Sequence, residues 1–445
     1  MKNKSARRIA LETLISVFKN KSYSNIALNH ALKNSGLSSH DKNLVTQLVY
    51  GTIQHQIYLD YQIHDIFKEN KKAPWMRPLL LMSVYQLFFL DRVPNHAVLD
   101  EANLLAKEYT KNNLYKVVNG VLRNVIRRGQ QKPSSKNPVS YLSTVYSIPE
   151  WLVEYFVTHF GQEKAESILQ SINQPPQNTI RINQKVTTKA AVCQWLDEQG
   201  INYTESEISP DSLHLSYGPI NQLELFETGA ITIQDDSATL AAQSLRVQPG
   251  DNVLDACASP GGKTIQIAEE LTTGTVTALD IHKNKLNLIK DNATRLQVAD
   301  LIETQQLDAR LVSQELGTQI YDKILVDAPC SGLGLLRRKP EVKYTKAFSD
   351  VQKLSQIQLA ILNGVCESLK PNGRLVYSTC TITDEENEQV VQAFLAQHPE
   401  FSLEKVYLKA DNEAIRSGDF VRIFPDTYRT DGFFIASLVK SEGEQ

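Results

Sequence analysis

From about Asp236 onward, short apolar runs alternate with helical stretches: Asn252 to Asp255, Thr275 to Asp280, Lys323 to Asp327, Arg374 to Ser378 and Phe433 to Leu438. Segments of this kind bury their apolar faces most simply as βαβ units, which predicts a largely parallel sheet with helices on both faces. Such sheets bind ligands beyond the carboxyl ends of their strands, so the loops after these runs are where chemistry is expected.

The preceding chain has a different period. From Ala6 to about Arg128 apolar residues recur at three and four spacing, as at Val45, Leu48, Val49 and Ile53, which predicts helix almost throughout. Gly129 to Ser140 is polar and rich in Pro and Ser, and reads as a linker. Ser147-Ile-Pro-Glu150 then reads as a capping box ahead of Trp151, Leu152, Tyr155 and Phe156. After Pro175-Pro176, strand-like Thr179 to Ile182, Leu213 to Leu215 and Ala230 to Ile233, with a helix near Lys189 to Glu198, predict a small α+β unit. The expected organisation is multi-domain: an all-α domain over residues 1–132, a small α+β domain over 140–235 and an α/β Rossmann-like domain over 236–445.

Net charge is −3 over 445 residues, which taken as an average argues against a strongly basic polyanion binder. The average conceals an asymmetry. Residues 1–150 carry 21 Lys and Arg against 10 Asp and Glu, a net +11, and the remainder is −14. A basic head of this kind suits a polyanion. Five cysteines without a CxxC pair indicate neither a disulfide framework nor a metal site. The N-terminal stretch is interrupted by Glu12 and reads as an amphipathic helix, while the apolar run Leu79 to Leu90 is too short to span a bilayer. A soluble, cytoplasmic protein is expected.

Val253-Leu-Asp-Ala-Cys-Ala-Ser-Pro-Gly-Gly-Lys-Thr264 places a small-residue loop between a buried strand and a helix. GGKT invites a phosphate-binding P-loop reading, but that motif needs glycine where Cys257 stands. The alternative is a nucleoside-binding loop with an acid at the end of the next strand. Asp280, 19 residues after Gly261, fits that place, although it could equally cap the following helix. Asp308 and Asp327 fall beyond later strands.

Asp327-Ala-Pro-Cys330 and Tyr377-Ser-Thr-Cys380 both follow apolar strands, so both sulfurs are expected in one crevice; Cys193 and Cys366 lie in helical stretches and read as core. Two thiols beside a nucleoside site suit substitution at carbon 5 of a pyrimidine. A thiolate added at carbon 6 makes carbon 5 nucleophilic, a second group removes the carbon 5 proton, and an acid near ring nitrogen 3, a task for which Asp327 is suited, stabilises the adduct.

CASPGGK, DAPCSGLG, YSTCT, Arg338-Lys-Pro-Glu-Val-Lys343, Glu386-Asn-Glu388 and Asp431-Gly-Phe-Phe434 occur in the order that resembles the RNA cytosine-5 methyltransferases, and Gln234-Asp-Asp-Ser-Ala238 resembles that family's entry into its catalytic domain. Arg92 to Asn103 and Val118 to Arg123 resemble the helical RNA-binding NusB fold. The resemblance implies S-adenosylmethionine as cofactor with no metal, and 16S ribosomal RNA as substrate with no obligate protein partner and no membrane. It makes Cys380 the nucleophile, Cys330 the group that assists release as base, and Asp327 the partner of cytosine N3. Cofactor contacts are expected from Cys257, Ala258, Ser259, Pro260, Gly261, Gly262, Lys263, Asp280, Asp308 and Asp327. An ATP-dependent RNA enzyme and a non-catalytic RNA-binding scaffold are the competing readings. If the basic head makes about six phosphate contacts, RNA affinity in filter binding is expected to fall about a thousandfold between roughly 50 and 200 mM salt, whereas a flat response means a merely solvated face.

Overall fold

The computed structural model describes residues 5–20, 23–33, 35–69, 71–110 and 112–442. Two compact units emerge, one comprising the chain through Gln174 with Leu336–Thr345, the other Pro175–Leu335 with the chain from Lys346 onward.

The first unit is helical. Met76–Phe89 is apolar on nearly every side, and its Leu79, Leu80, Leu81 and Val84 are wholly buried, as expected of a central helix. Ala6–Asn20, Ser39–Gln54, Asn95–Tyr109 and Leu114–Arg128 each turn one apolar face toward this core. The run suspected of being too short for a bilayer is thus a core helix, and no helix among the described residues is long and apolar enough to cross a membrane. Gly129, at φ +65°, closes Leu114–Arg128. The polar stretch that follows is pinned, because Gln131 and Gln62 exchange hydrogen bonds of 2.8 and 2.9 Å.

The capping box expected at Ser147 does not form. Helix Glu150–Phe160 starts after Pro149, and Ser147 instead closes helix Pro138–Tyr146 in the left-handed region, accepting the Tyr58 N–H at 2.8 Å. The physical reason is Pro149, which keeps Ile148 out of the helical region that a box beginning at Ser147 needs.

Leu336–Thr345 is embedded in this helical unit. The Glu341 carboxylate accepts the Ser24 N–H and hydroxyl at 3.0 and 2.7 Å, at the start of helix Ser24–Lys33, where free backbone N–H groups favour an anion. Lys343 is fully buried and donates to the Gln54 carbonyl at 2.7 Å, and burial pushes its pKa well below the usual lysine range.

In the second unit β1 (Asn178–Ile182), β2 (Tyr203–Glu205), β3 (Ser212–Leu215) and β4 (Ile231–Ile233) form an antiparallel sheet in the order β2-β3-β1-β4, backed by helix Lys189–Glu198. Arg181 of β1, 2% exposed, forms a forked ion pair with Glu269 at the end of helix Gly262–Glu269 and so fastens the small sheet to the large one. Such a pair costs desolvation to form, and its loss would leave an uncompensated buried charge.

The large sheet contains β5 (Asn252–Asp255), β6 (Thr275–Asp280), β7 (Ile302–Gln306), β8 (Tyr321–Asp327), β9 (Leu369–Thr379), β10 (Phe401–Glu404), β11 (Arg416–Ser417), β12 (Phe420–Ile423) and β13 (Phe433–Lys440). Its order is β11-β12-β13-β9-β8-β5-β6-β7, with β10 also pairing β13. The first five strands are parallel, as expected, but β13 runs antiparallel to β9, β10 and β12, so the sheet is mixed rather than largely parallel. The apolar pattern of Phe433 to Leu438 reports burial and carries no sign of strand direction.

Chain order reverses at β5, which lies between β6 and β8, and this switch point opens a crevice at the carboxyl ends. Two loops close one side of it by near contact of backbones. Gly334 N–H donates to the Cys380 carbonyl at 3.0 Å, and a Cβ at Gly334 would lie 1.9 Å from the Gly432 oxygen. Gly334→Ala is expected to cost about 1–3 kcal/mol in urea denaturation through overpacking, and to lower turnover by moving the Cys330 loop.

Candidate active site

The crevice contains a cavity of about 210 Å³ lined by Ile233, Gln234, Asp235, Ala238, Asp255, Cys257, Ala258, Ser259, Pro260, Gly262, Lys263 and Asp327. The loop after β5 shapes it. Gly261, at φ +106°, starts helix Gly262–Glu269, and a Cβ there would stand 3.2 Å from the Ile289 backbone, so this turn needs glycine. Six residues of the predicted loop therefore line the cavity, while Gly261 supports it from behind.

The acids fall into two groups. Asp327, at the end of β8, accepts Lys263 Nζ at 2.8 Å and the Ser378 hydroxyl at 2.8 Å. Lys263 is drawn over the Phe433 ring at 5.2 Å, and although burial opposes its charge, Asp327, Cys380 and Asp255 together hold its pKa above the usual value. Asp280 ends β6, but one of its oxygens accepts the His282 N–H at 2.8 Å, and Lys285 stands 3.8 Å from the other. Asp308 follows β7 and is held by Arg310, whose side-chain hydrogen bonds keep the carboxyl below its ordinary range. Asp280 and Asp308 do not line the cavity. Burial, followed by the charges of Asp255, Asp327, Asp280 and Asp308, nevertheless raises the Cys257 thiol far above its ordinary value.

Asp255 is a residue that the sequence did not mark. It is 1% exposed, it accepts the Thr264 hydroxyl at 2.7 Å through Oδ2, and its Oδ1 has no hydrogen-bond partner in the cavity wall. Burial pushes its carboxyl up to about 7. Ile233, Gln234, Asp235 and Ala238 were likewise unmarked as site residues; the signals were a polar cluster directly after a strand-like run and the resemblance of Gln234 to Ala238 to the family's entry into its catalytic domain.

The two strand-end cysteines do come together. β8 and β9 are parallel neighbours in the register Asp327 to Ser378, and Cys330 Sγ lies 3.1 Å from Cys380 Sγ. The hydrogen bond to Cys380, then burial, raise the Cys330 pKa well above the ordinary thiol range. Cys366 is buried and Cys193 packs in the small-domain core, both away from this site.

A glycine loop after the first strand, acids after the next strands and a switch-point crevice define a Rossmann-type enzyme that takes a nucleoside-bearing cofactor. Comparison with known proteins narrows the class. The model of the 16S rRNA methyltransferase RsmB/F matches residues 242–439, that of the NusB family 4–127, and that of the RsmF/B-like ferredoxin-like domain 148–220. The probable ribosomal RNA small subunit methyltransferase B of Bacillus subtilis is 41% identical over 99% of this chain and 100% of its own length. Ribosomal RNA small subunit methyltransferase B of Klebsiella pneumoniae is 32% identical over 99% of both chains. The crystal structure of PH0851 superposes with TM-score 0.84 at 27% identity, covering 98% of each chain. The chain belongs to the RsmB/F family of 16S rRNA methyltransferases and is an S-adenosylmethionine-dependent ribosomal RNA methyltransferase.

The residues present fit that cofactor. An orphaned buried carboxylate oxygen calls for a donor such as an ammonium group, and the surrounding acids suit a ligand with positive charge. Because folded Asp255 keeps its proton at pH values where an unfolded aspartate, with pKa about 3.9, has lost it, its contribution to stability is greatest at low pH and is lost as pH rises toward 7. Asp255→Asn is expected to gain on the wild type in urea denaturation between roughly pH 4 and 7, by up to about 1.4 kcal/mol per pH unit.

Proposed function

We propose that the protein methylates carbon 5 of a cytosine in 16S ribosomal RNA through a covalent intermediate on Cys380. The observation that carries this reading is the pair of thiols 3.1 Å apart at the ends of adjacent parallel strands, beside the Lys263–Asp327 ion pair. S-adenosylmethionine, when bound, supplies the electrophilic methyl group. Cys257 to Lys263, with Asp327, would hold it along the β5 loop, and Asp280 and Asp308 would serve its nucleoside end.

The chain's own residues account for the rest. Cys380 acts as thiolate, with the Lys263 ammonium within electrostatic reach and the Cys330 S–H as hydrogen-bond donor. Its sulfur adds to carbon 6, and the charge that enters the ring is met at N3 by a proton that Lys263 passes through Asp327 and that returns once carbon 5 is methylated. This addition leaves carbon 5 nucleophilic toward the methyl group, which the cofactor would yield as its methyl–sulfonium bond breaks to leave a neutral thioether. With Cys380 covalently engaged, the main influence that raised the Cys330 pKa is gone, so Cys330 is the easier thiol to ionise at that stage. Having lost its own proton to solvent, the one proton that the overall methylation releases, it takes the carbon 5 proton; the electron pair left behind re-forms the carbon 5–carbon 6 double bond, the carbon 6–sulfur bond breaks, and Cys380 leaves as thiolate beside the S–H just formed. Cys257, raised by burial and by four carboxylates, is unsuited to nucleophilic attack.

Cys380→Ala is expected to abolish both methyl transfer and the covalent enzyme–RNA adduct, while Cys330→Ala accumulates a stable adduct on a denaturing gel. Accumulation in Cys380→Ala instead would reverse the two roles. Bisulfite sequencing of ribosomal RNA from cells lacking the protein, with Cys380→Ala as control, is expected to show loss of one 5-methylcytosine.

A further inference from the structure

The short thiol–thiol distance needs both loops held on a common support, and two consecutive residues supply it. Glu386 and Asn387, just ahead of helix Glu388–Gln397, are fully buried. Glu386 Oε1 accepts the Ser331 N–H at 2.7 Å and Gln358 Nε2 at 3.0 Å. Its Oε2 accepts the Ser331 hydroxyl at 2.5 Å and the Thr383 hydroxyl at 2.9 Å. Gln358 also donates to the Pro329 carbonyl at 3.0 Å, so both neighbours of Cys330 are tied to this carboxylate, one of them through the amide. Asn387 holds the other loop: its Oδ1 accepts the Thr379 hydroxyl at 2.5 Å, and its Nδ2 donates to the Thr381 carbonyl at 3.2 Å. Those two residues flank Cys380. The Tyr377 hydroxyl, at 2.6 Å from the Glu386 carbonyl, fixes the support to β9.

We infer that Glu386 and Asn387 are positioning residues that set the distance between Cys330 and Cys380, and thereby the release step of the reaction. This rests on the proposed division of labour between the cysteines. Neither residue touches either sulfur, and neither is exposed to substrate. A carboxylate that accepts four hydrogen bonds in a fully buried setting cannot lose them without leaving donors unsatisfied, so the Cys330 loop is determined by Glu386 rather than by solvent. Released from it, Cys330 would drift from Cys380, while Cys380, held by Asn387, would still attack carbon 6.

The test uses the full-length protein, S-adenosylmethionine and a labelled 16S rRNA fragment, read on a denaturing gel with turnover measured alongside. In Glu386→Ala, turnover is expected to fall about a hundredfold, the scale of a misplaced proton-transfer group, with KM for RNA nearly unchanged and the covalent adduct accumulating as in Cys330→Ala. Glu386→Gln keeps an oxygen to accept the Ser331 N–H and supplies an amide N–H pair that the two hydroxyls, rotated, accept, and is expected to restore turnover to within about tenfold of wild type without adduct. A loss of turnover in Glu386→Ala with no adduct, or no loss at all, overturns the inference. Should Glu386→Ala fail to melt cooperatively, Ser331→Ala, which removes the hydroxyl bond to Glu386 together with the one to the Thr381 hydroxyl, is expected to show the adduct at a lower level, and its absence there overturns the inference equally. If Cys330→Ala itself gives no adduct, the cysteine roles fail and not merely the clamp.

Discussion

The parallel pairing of β8 with β9 is the constraint on which the site depends. Its register sets Val326 against Tyr377 and Asp327 against Ser378, so the two loops leave the sheet at the same level and the same edge. Only then do two sulfurs 50 residues apart meet at 3.1 Å. A slip of one residue would turn every side chain of the strand to the opposite face and part the two cysteines. The same pairing lets the Ser378 hydroxyl bond Asp327, which in turn holds Lys263 from the loop after β5.

Within the crevice, surroundings decide what each thiol is suited to do. Burial, with nearby carboxylate charge adding to it, keeps Cys257 protonated, which fits a place on a cofactor wall. Cys330 has its pKa raised chiefly by its neighbour, an influence that exists only while Cys380 is free. Cys380 has the Lys263 ammonium within electrostatic reach. Three thiols of equal intrinsic chemistry thus become distinguishable through burial, charge and hydrogen bonding.

Much of this was legible in the chain. The runs at Asn252 to Asp255 and Thr275 to Asp280 form strands with those bounds, helix Lys189–Glu198 stands as read, and the loop from Cys257 to Lys263 does shape the cavity apart from Gly261. Misreadings share a cause. Apolar patterning reports burial, so it located β13 without revealing its antiparallel direction. The box at Ser147 counted a favourable spacing while Pro149 forbade the backbone. Asp255 was passed over because, as the last residue of an apolar strand, it looks like part of the run and not like a wall of the site. Glu386 and Asn387 were noticed only as part of a family motif, since nothing local says that a polar pair before a helix will be buried.

The sequence by itself determined the periods, hence which segments are helix and which are strand, and the residue types after each strand, hence a nucleoside-cofactor loop and two candidate nucleophiles. It also carried the charge division between a basic head and an acidic remainder. Tertiary structure alone decided which acid pairs with Lys263, that Cys330 and Cys380 share one hydrogen bond, and that the chain after the Cys330 loop is embedded in the helical unit. Periodicity and turn chemistry act over a few residues. Distance between side chains, and the burial that sets their charge, come only from segments far apart in the chain packing together.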